Sequence, residues 1–164
     1  MTGIDAIRAS LRSTQQLVTW FIGDLSDAEL LVRPVEGANH IAWQMGHTIL
    51  AERGMVTKEL PGAGYPDLPA GFAEQHAKAT ASLDPPHGFA DKAAYLGGFT
   101  QTRESTVAAL GTLTDADLDR PTIGPMASIA PTLGALFLLV ANHSLMHGGQ
   151  FTVVRRKLGK PILF

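Results

Sequence analysis

Apolar residues recur at three- and four-residue steps at Ile4, Ile7, Leu11, Thr14, Val18 and Phe21, while Arg8, Arg12, Gln15, Gln16 and Thr19 fill the other side. That is the period of an amphipathic helix. Ser26 and Glu29 have capping-box spacing and open a short helical turn, which Pro34 ends. Asn39 is then placed to cap a second helix that runs through His47 to about Leu60. Phe89, Ala93, Leu96, Phe99, Arg103, Val107 and Leu110 mark a third helix, and a fourth begins near Pro131 or Thr132 and extends towards Leu158. Strand-type alternation is missing throughout.

Between the second and third helices, residues 61–88 hold five prolines and four glycines, interrupted only by a weak helical stretch from about Phe72 to Leu83. This is a long crossover. Short connections make neighbouring helices antiparallel, whereas a crossover lets two successive helices run parallel. Residues 23–30 and 111–118 echo each other. Each copy follows an amphipathic helix, is followed by a proline (Pro34, Pro121) and precedes a helix with an interior histidine (His47, His143). Two helical hairpins of similar plan are implied, so the expected fold is all-α: one four-helix-bundle domain over residues 1–164, running up, down, down, up.

With 164 residues, such a chain can bury roughly 70% of the surface its unfolded form exposes, enough for a core without a disulfide or a structural metal. Cysteine is absent, so any metal must be held by imidazole, carboxylate or water. Thirteen Lys and Arg against fifteen Asp and Glu give a net charge of -2. No long basic run exists to follow a phosphate backbone, which argues against nucleic acid as a partner. The start, Met1 to Asp5, lacks the basic-then-apolar pattern of a secretory signal, so a cytoplasmic location is expected. The apolar run from Leu133 to Ala141 is far short of the roughly 20 residues that span a bilayer and reads as a buried core helix.

The candidate chemistry follows that run. His143 and His147 stand four apart on the fourth helix and share one face. His47 lies among apolar residues, with Trp43 and Leu50 on its own face, and should look inward. If it faces the pair, three imidazoles would leave coordination positions open for water or substrate, as catalytic metal sites require. Separate core or surface histidines would satisfy the same spacing.

Taken together, His47, the segment His143-x-x-x-His147-Gly148-Gly149-Gln150 and the tail Arg155-Arg156-Lys157-Leu158-Gly159-Lys160-Pro161 resemble the DinB/YfiT-like superfamily of metal-dependent enzymes. The resemblance covers essentially the whole chain. It implies a four-helix bundle with a divalent metal at one end, on His47, His143 and His147, and a homodimer. Related branches transfer low-molecular-weight thiols or isomerise through thiol adducts, and others are labelled hydrolases without known substrates. Zinc, nickel, iron and manganese all accept imidazole, so the ion stays open.

Other residues carry weaker expectations. Gln150 lies near the histidine face and could hold a metal-bound water or the substrate, or else pack between helices. Arg103 interrupts an apolar stripe, either to clamp an anionic substrate or with its head in solvent. Gly148 and Gly149 suggest close approach by a helix or a ligand. His40 reads as a solvated helix-start residue or part of a pocket mouth, His76 and His87 as surface residues, and Glu52 as outside the ligand set though near it. Arg155, Arg156 and Lys157 complement the dipole at the end of the last helix. The apolar tail Ile162-Leu163-Phe164 could cover its own bundle or a partner subunit.

Two functions compete. In one, the metal activates a small thiol or water, giving a thiol S-transferase or a hydrolase; no carboxylate is spaced to act as general base, which tilts the reading towards thiol transfer. In the other, the site is a non-catalytic module for a metal or small ligand. Structural histidines in an interaction bundle are a third possibility.

Overall fold

The computed structural model describes residues 1–84 and 86–161, so the tail from Ile162 to Phe164 lies outside the described residues. The chain forms α1 (Gly3–Gly23), α2 (Asp27–Leu30), α3 (Ile41–Glu59), α4 (Phe72–Gln75), α5 (Lys92–Leu110) and α6 (Leu133–Lys157). No strand forms among the described residues; a single antiparallel bridge joins Pro121 to Thr132. Among the described residues no helix is long and apolar enough to cross a membrane.

The stripe read from the sequence is the buried face of α1: Ile4, Ile7, Leu11, Thr14, Val18 and Phe21. Capping boxes open α2 at Ser26 and Glu29 and a 3₁₀ turn at Thr114 and Asp117, so both copies of the echo are helix starts. Thr132 caps α6 through the Ala135 N–H. Two expectations differ. α3 is capped by His40 rather than Asn39, because the His40 imidazole accepts the Trp43 N–H. The helix expected over Phe72 to Leu83 breaks after one turn, where the single proton of the Thr80 hydroxyl is shared between the carbonyls of Gln75 and Ala77. A side chain that donates there competes with the backbone bonds that would continue the helix.

α1 packs against α5 and α6, and α3 packs against the same two, so α1 and α3 lie diagonally across the bundle. Lys92 at the start of α5 reaches Gly23 at the end of α1, whereas Arg155 near the end of α6 reaches Phe21. α5 therefore runs against α1 and α6 runs with it. Gly98 meets Ile49 and Arg103 meets Glu52, which makes α3 and α5 parallel. The order is up, down, down, up, and the crossover joins the parallel pair.

Besides a small group of Ala130, Leu133 and Leu136 around the start of α6, two apolar clusters fill the interior. One is built around Phe21, Ile22, Met45, Tyr95, Phe99 and Phe151, the other around Leu11, Val56, Leu110, Phe137 and Val140. Between them lies a polar layer to which each long helix contributes. Arg103 of α5 donates to Glu52 of α3, to the Leu11 carbonyl and Thr14 hydroxyl of α1, and to the Ser144 hydroxyl of α6. Ser144 adjoins His143, so this layer sets the height of α6 where the histidines lie.

Candidate metal centre

α3 and α6 are antiparallel neighbours, and their register brings His47 opposite His143 and His147. One ring nitrogen from each of the three lies within 4.8 Å of the others. The His143 and His147 Nε2 atoms are 3.2 Å apart. Two zinc–nitrogen bonds of roughly 2.0–2.1 Å at a tetrahedral angle would separate their nitrogens by about 3.3 Å, so this pair has the spacing of two ligands on one small divalent cation, with His47 near enough to complete the set. Trp43, one turn before His47, stacks on it with ring centres 5.1 Å apart and planes 7° from parallel, which fixes the ring's orientation.

His147 is held from its other side. Gln44 donates its amide N–H to the Asn39 carbonyl at 2.8 Å, which leaves its Oε1 to accept from His147 Nδ1 at 2.8 Å. The proton then sits on Nδ1, and the Nε2 lone pair faces the other two imidazoles. Burial pushes His143 and His147 down to about 4, with the neighbouring imidazoles adding to the effect. Burial also lowers His47. All three are neutral near pH 7, the form that donates a lone pair to a metal.

His47 and His143 stand at one end of a cavity of about 680 Å³ between α3 and α6, open along one side to solvent and bordered at its far end by residues of the loop that precedes α6. Gln150 is exposed and does not line this cavity. It reaches the His147 side chain from outside, where a hydrogen bond works against the larger effect of burial.

Several sequence expectations need correction. Arg103 neither clamps a substrate nor snorkels: it is fully buried, and its five N–H groups are spent on Glu52, Leu11, Thr14 and Ser144. Glu52 is bound in that pair and does not support the histidines. His40 is fully buried and His76 nearly so. His76 lies between the Phe72 carbonyl and the Tyr95 hydroxyl, 2.7 Å from each. His87 is exposed. Gly148 does allow close packing, on Phe21 and Val18, whereas Gly149 faces open space. Arg155 is more than a dipole partner: it is buried and binds the Phe21 carbonyl and Asp24. Gln44 was missed. Its signal was its place three residues before His47, on the same face, but a glutamine there has many ordinary uses.

Solved structures share this architecture. YfiT from Bacillus subtilis, described as "a probable metal-dependent hydrolase with an unusual four-helix bundle topology", matches with a TM-score of 0.67 at 17% identity, over 96% of this chain and 89% of that one. A conserved protein from Enterococcus faecalis matches with a TM-score of 0.70, also at 17% identity, over 98% and 99% of the two chains. At that identity these likenesses show the fold. Among curated protein sequences none matches. The model of the DinB superfamily matches residues 10–151, a span that takes in most of the bundle and all three histidines, and the chain belongs to the DinB superfamily.

Proposed function

We propose that this protein is a metal-dependent enzyme acting on a small molecule, with His47, His143 and His147 as the metal ligands and hydrolysis as the reaction. The observation that carries this reading is the convergence of three neutral imidazoles, two of which line the end of a cavity large enough for a substrate. A divalent cation held there would supply Lewis acidity and a nucleophile at neutral pH. Gln44 keeps the His147 proton on Nδ1, Trp43 shields one face of His47 from water, and the Arg103 layer fixes α6 beside them. The description of YfiT supports the same class of activity.

Of the two nucleophiles left open by the sequence, water suits the cavity better. Low-molecular-weight thiols are polar and charged, and beyond the histidines the lining offers only Lys58 and Glu59 as charged groups. Glu59 already accepts the backbone N–H groups of Ile123 and Gly124.

The test is elemental analysis of untagged protein combined with an ester-hydrolysis assay on the wild type, the chelated and reloaded forms, and His143→Ala and His147→Ala. Bound metal that is lost in both variants, with hydrolysis that follows the metal, is the expected result. Hydrolysis that survives chelation, or metal retained by both variants, would overturn the proposal.

A further inference from the structure

The cavity beside the histidines has helical order in its walls. His47, Ala51 and Met55 follow one another along α3, and opposite them His143, Leu139 and Leu136 descend α6. At 1.5 Å per residue, the eleven-residue step from His47 to Lys58 corresponds to roughly 16 Å of length. The space exists because α3 presents small residues where α6 presents leucines: a Cβ added at Gly54 would meet nothing within 4 Å. Met126 and Ile129 of the loop before α6 complete the far wall.

Polar groups stand only at the two ends. The imidazoles occupy one end. At the other, Lys58 and Glu59 bring one charge of each sign, and the Glu59 carboxylate is occupied by the loop N–H groups. Polar groups of a substrate that turn towards these walls would lose their water and find no hydrogen bonds there to replace it. The volume of about 680 Å³ falls in the usual range of small-molecule sites, roughly 300–1,000 Å³.

We infer that the substrate is an uncharged, mostly hydrocarbon small molecule that lies lengthwise between α3 and α6, with its one polar reacting group at the His47 and His143 end. This rests on the catalytic reading above, but its test reads binding rather than turnover, so the two can fail separately.

Nile red would be bound to metal-free and metal-loaded wild-type protein and displaced with straight-chain alcohols from butanol to decanol, with glutathione as the polar comparison. Expected is tightening of about fourfold per methylene with no displacement by glutathione. Gly54→Leu and Ala51→Leu should each abolish displacement by the long alcohols while leaving circular dichroism and metal content unchanged. Affinity independent of chain length, wild-type displacement in both folded variants, or displacement by glutathione as effective as that by decanol would overturn the inference. Chain-length-dependent binding in a protein that hydrolyses no ester would uphold the apolar character of the bound molecule and remove the hydrolase reading.

Discussion

Arg103 and Glu52 meet side by side in the middle of the bundle, with Nε 2.9 Å from Oε1 and one terminal nitrogen 2.8 Å from Oε2, and neither side chain reaches solvent. The pair joins the two parallel helices that the crossover connects. The remaining Arg103 donors reach α1 and α6, so one guanidinium sets the register of all four long helices. A buried ion pair is weak evidence for stability in itself, but its geometry specifies which groups must lie level.

Removing one partner strands the other. Arg103→Met is expected to cost about 3–5 kcal/mol in urea unfolding, because Glu52 is left buried and uncompensated. In the double variant Glu52→Leu with Arg103→Met much of that loss should return. If the two single losses simply add in the double variant, the stranded charge is not the cause.

Gln44→Met keeps the length of the side chain but can no longer accept the His147 Nδ1 proton. Competition against a chromophoric chelator should show metal affinity reduced by about 10- to 100-fold, with helicity unchanged. Unaltered affinity would mean that the Gln44 hydrogen bond does not orient the imidazole.

Two glycines of α3 should respond oppositely to alanine. At Gly46 an added Cβ would overlap the His76 ring, which is itself held by Phe72 and Tyr95. Gly46→Ala is expected to destabilise by about 1–3 kcal/mol and to increase proteolysis of the crossover. At Gly54 the space is open, and Gly54→Ala should stabilise by about 0.5–1 kcal/mol through helix propensity alone. Thermal melts of both variants, side by side, decide the matter.

The chelated protein should lose stability in acid through its buried histidines. Burial holds His40 at about 4, with Arg33 and His76 adding to the effect and the Leu30 backbone opposing it; burial likewise holds His143 and His147 at about 4. Unfolded, each returns to its ordinary value of 6.5. Between those limits the unfolded chain binds more protons, so stability rises with pH there and is lost as pH falls from 6.5 towards 4. Melting temperatures across that window should fall less steeply in His40→Asn, which can still cap α3. An identical slope would show that His40 does not contribute.

Much of the architecture was legible because its signals are local. The α1 stripe, the capping pairs at Ser26 and Thr114 and the crossover prolines each act within a few residues, and together they imply four long helices in the order observed. The pairing of His143 with His147 was equally local, since helical pitch alone puts them together. What lay beyond local pattern was the partner of each polar side chain. Arg103, Glu52, His40 and His76 all read as surface or site residues on ordinary preferences for water, and all are buried. Their partners are 51 residues away for Arg103 with Glu52, and 19 for His76 with Tyr95.

By itself, then, the order of residues determined the helices, their caps, the long crossover and the histidine pair, because hydrogen bonds and periodicity within a helix depend on near neighbours. Tertiary structure alone decided that His47 faces that pair, that Gln44 holds the His147 proton and that Arg103 is a buried brace. It also decided that Ala51 and Gly54 stand opposite leucines to leave a cavity. Each depends on the relative height and rotation of helices distant in the chain, which are set by packing of the whole core rather than by any short stretch.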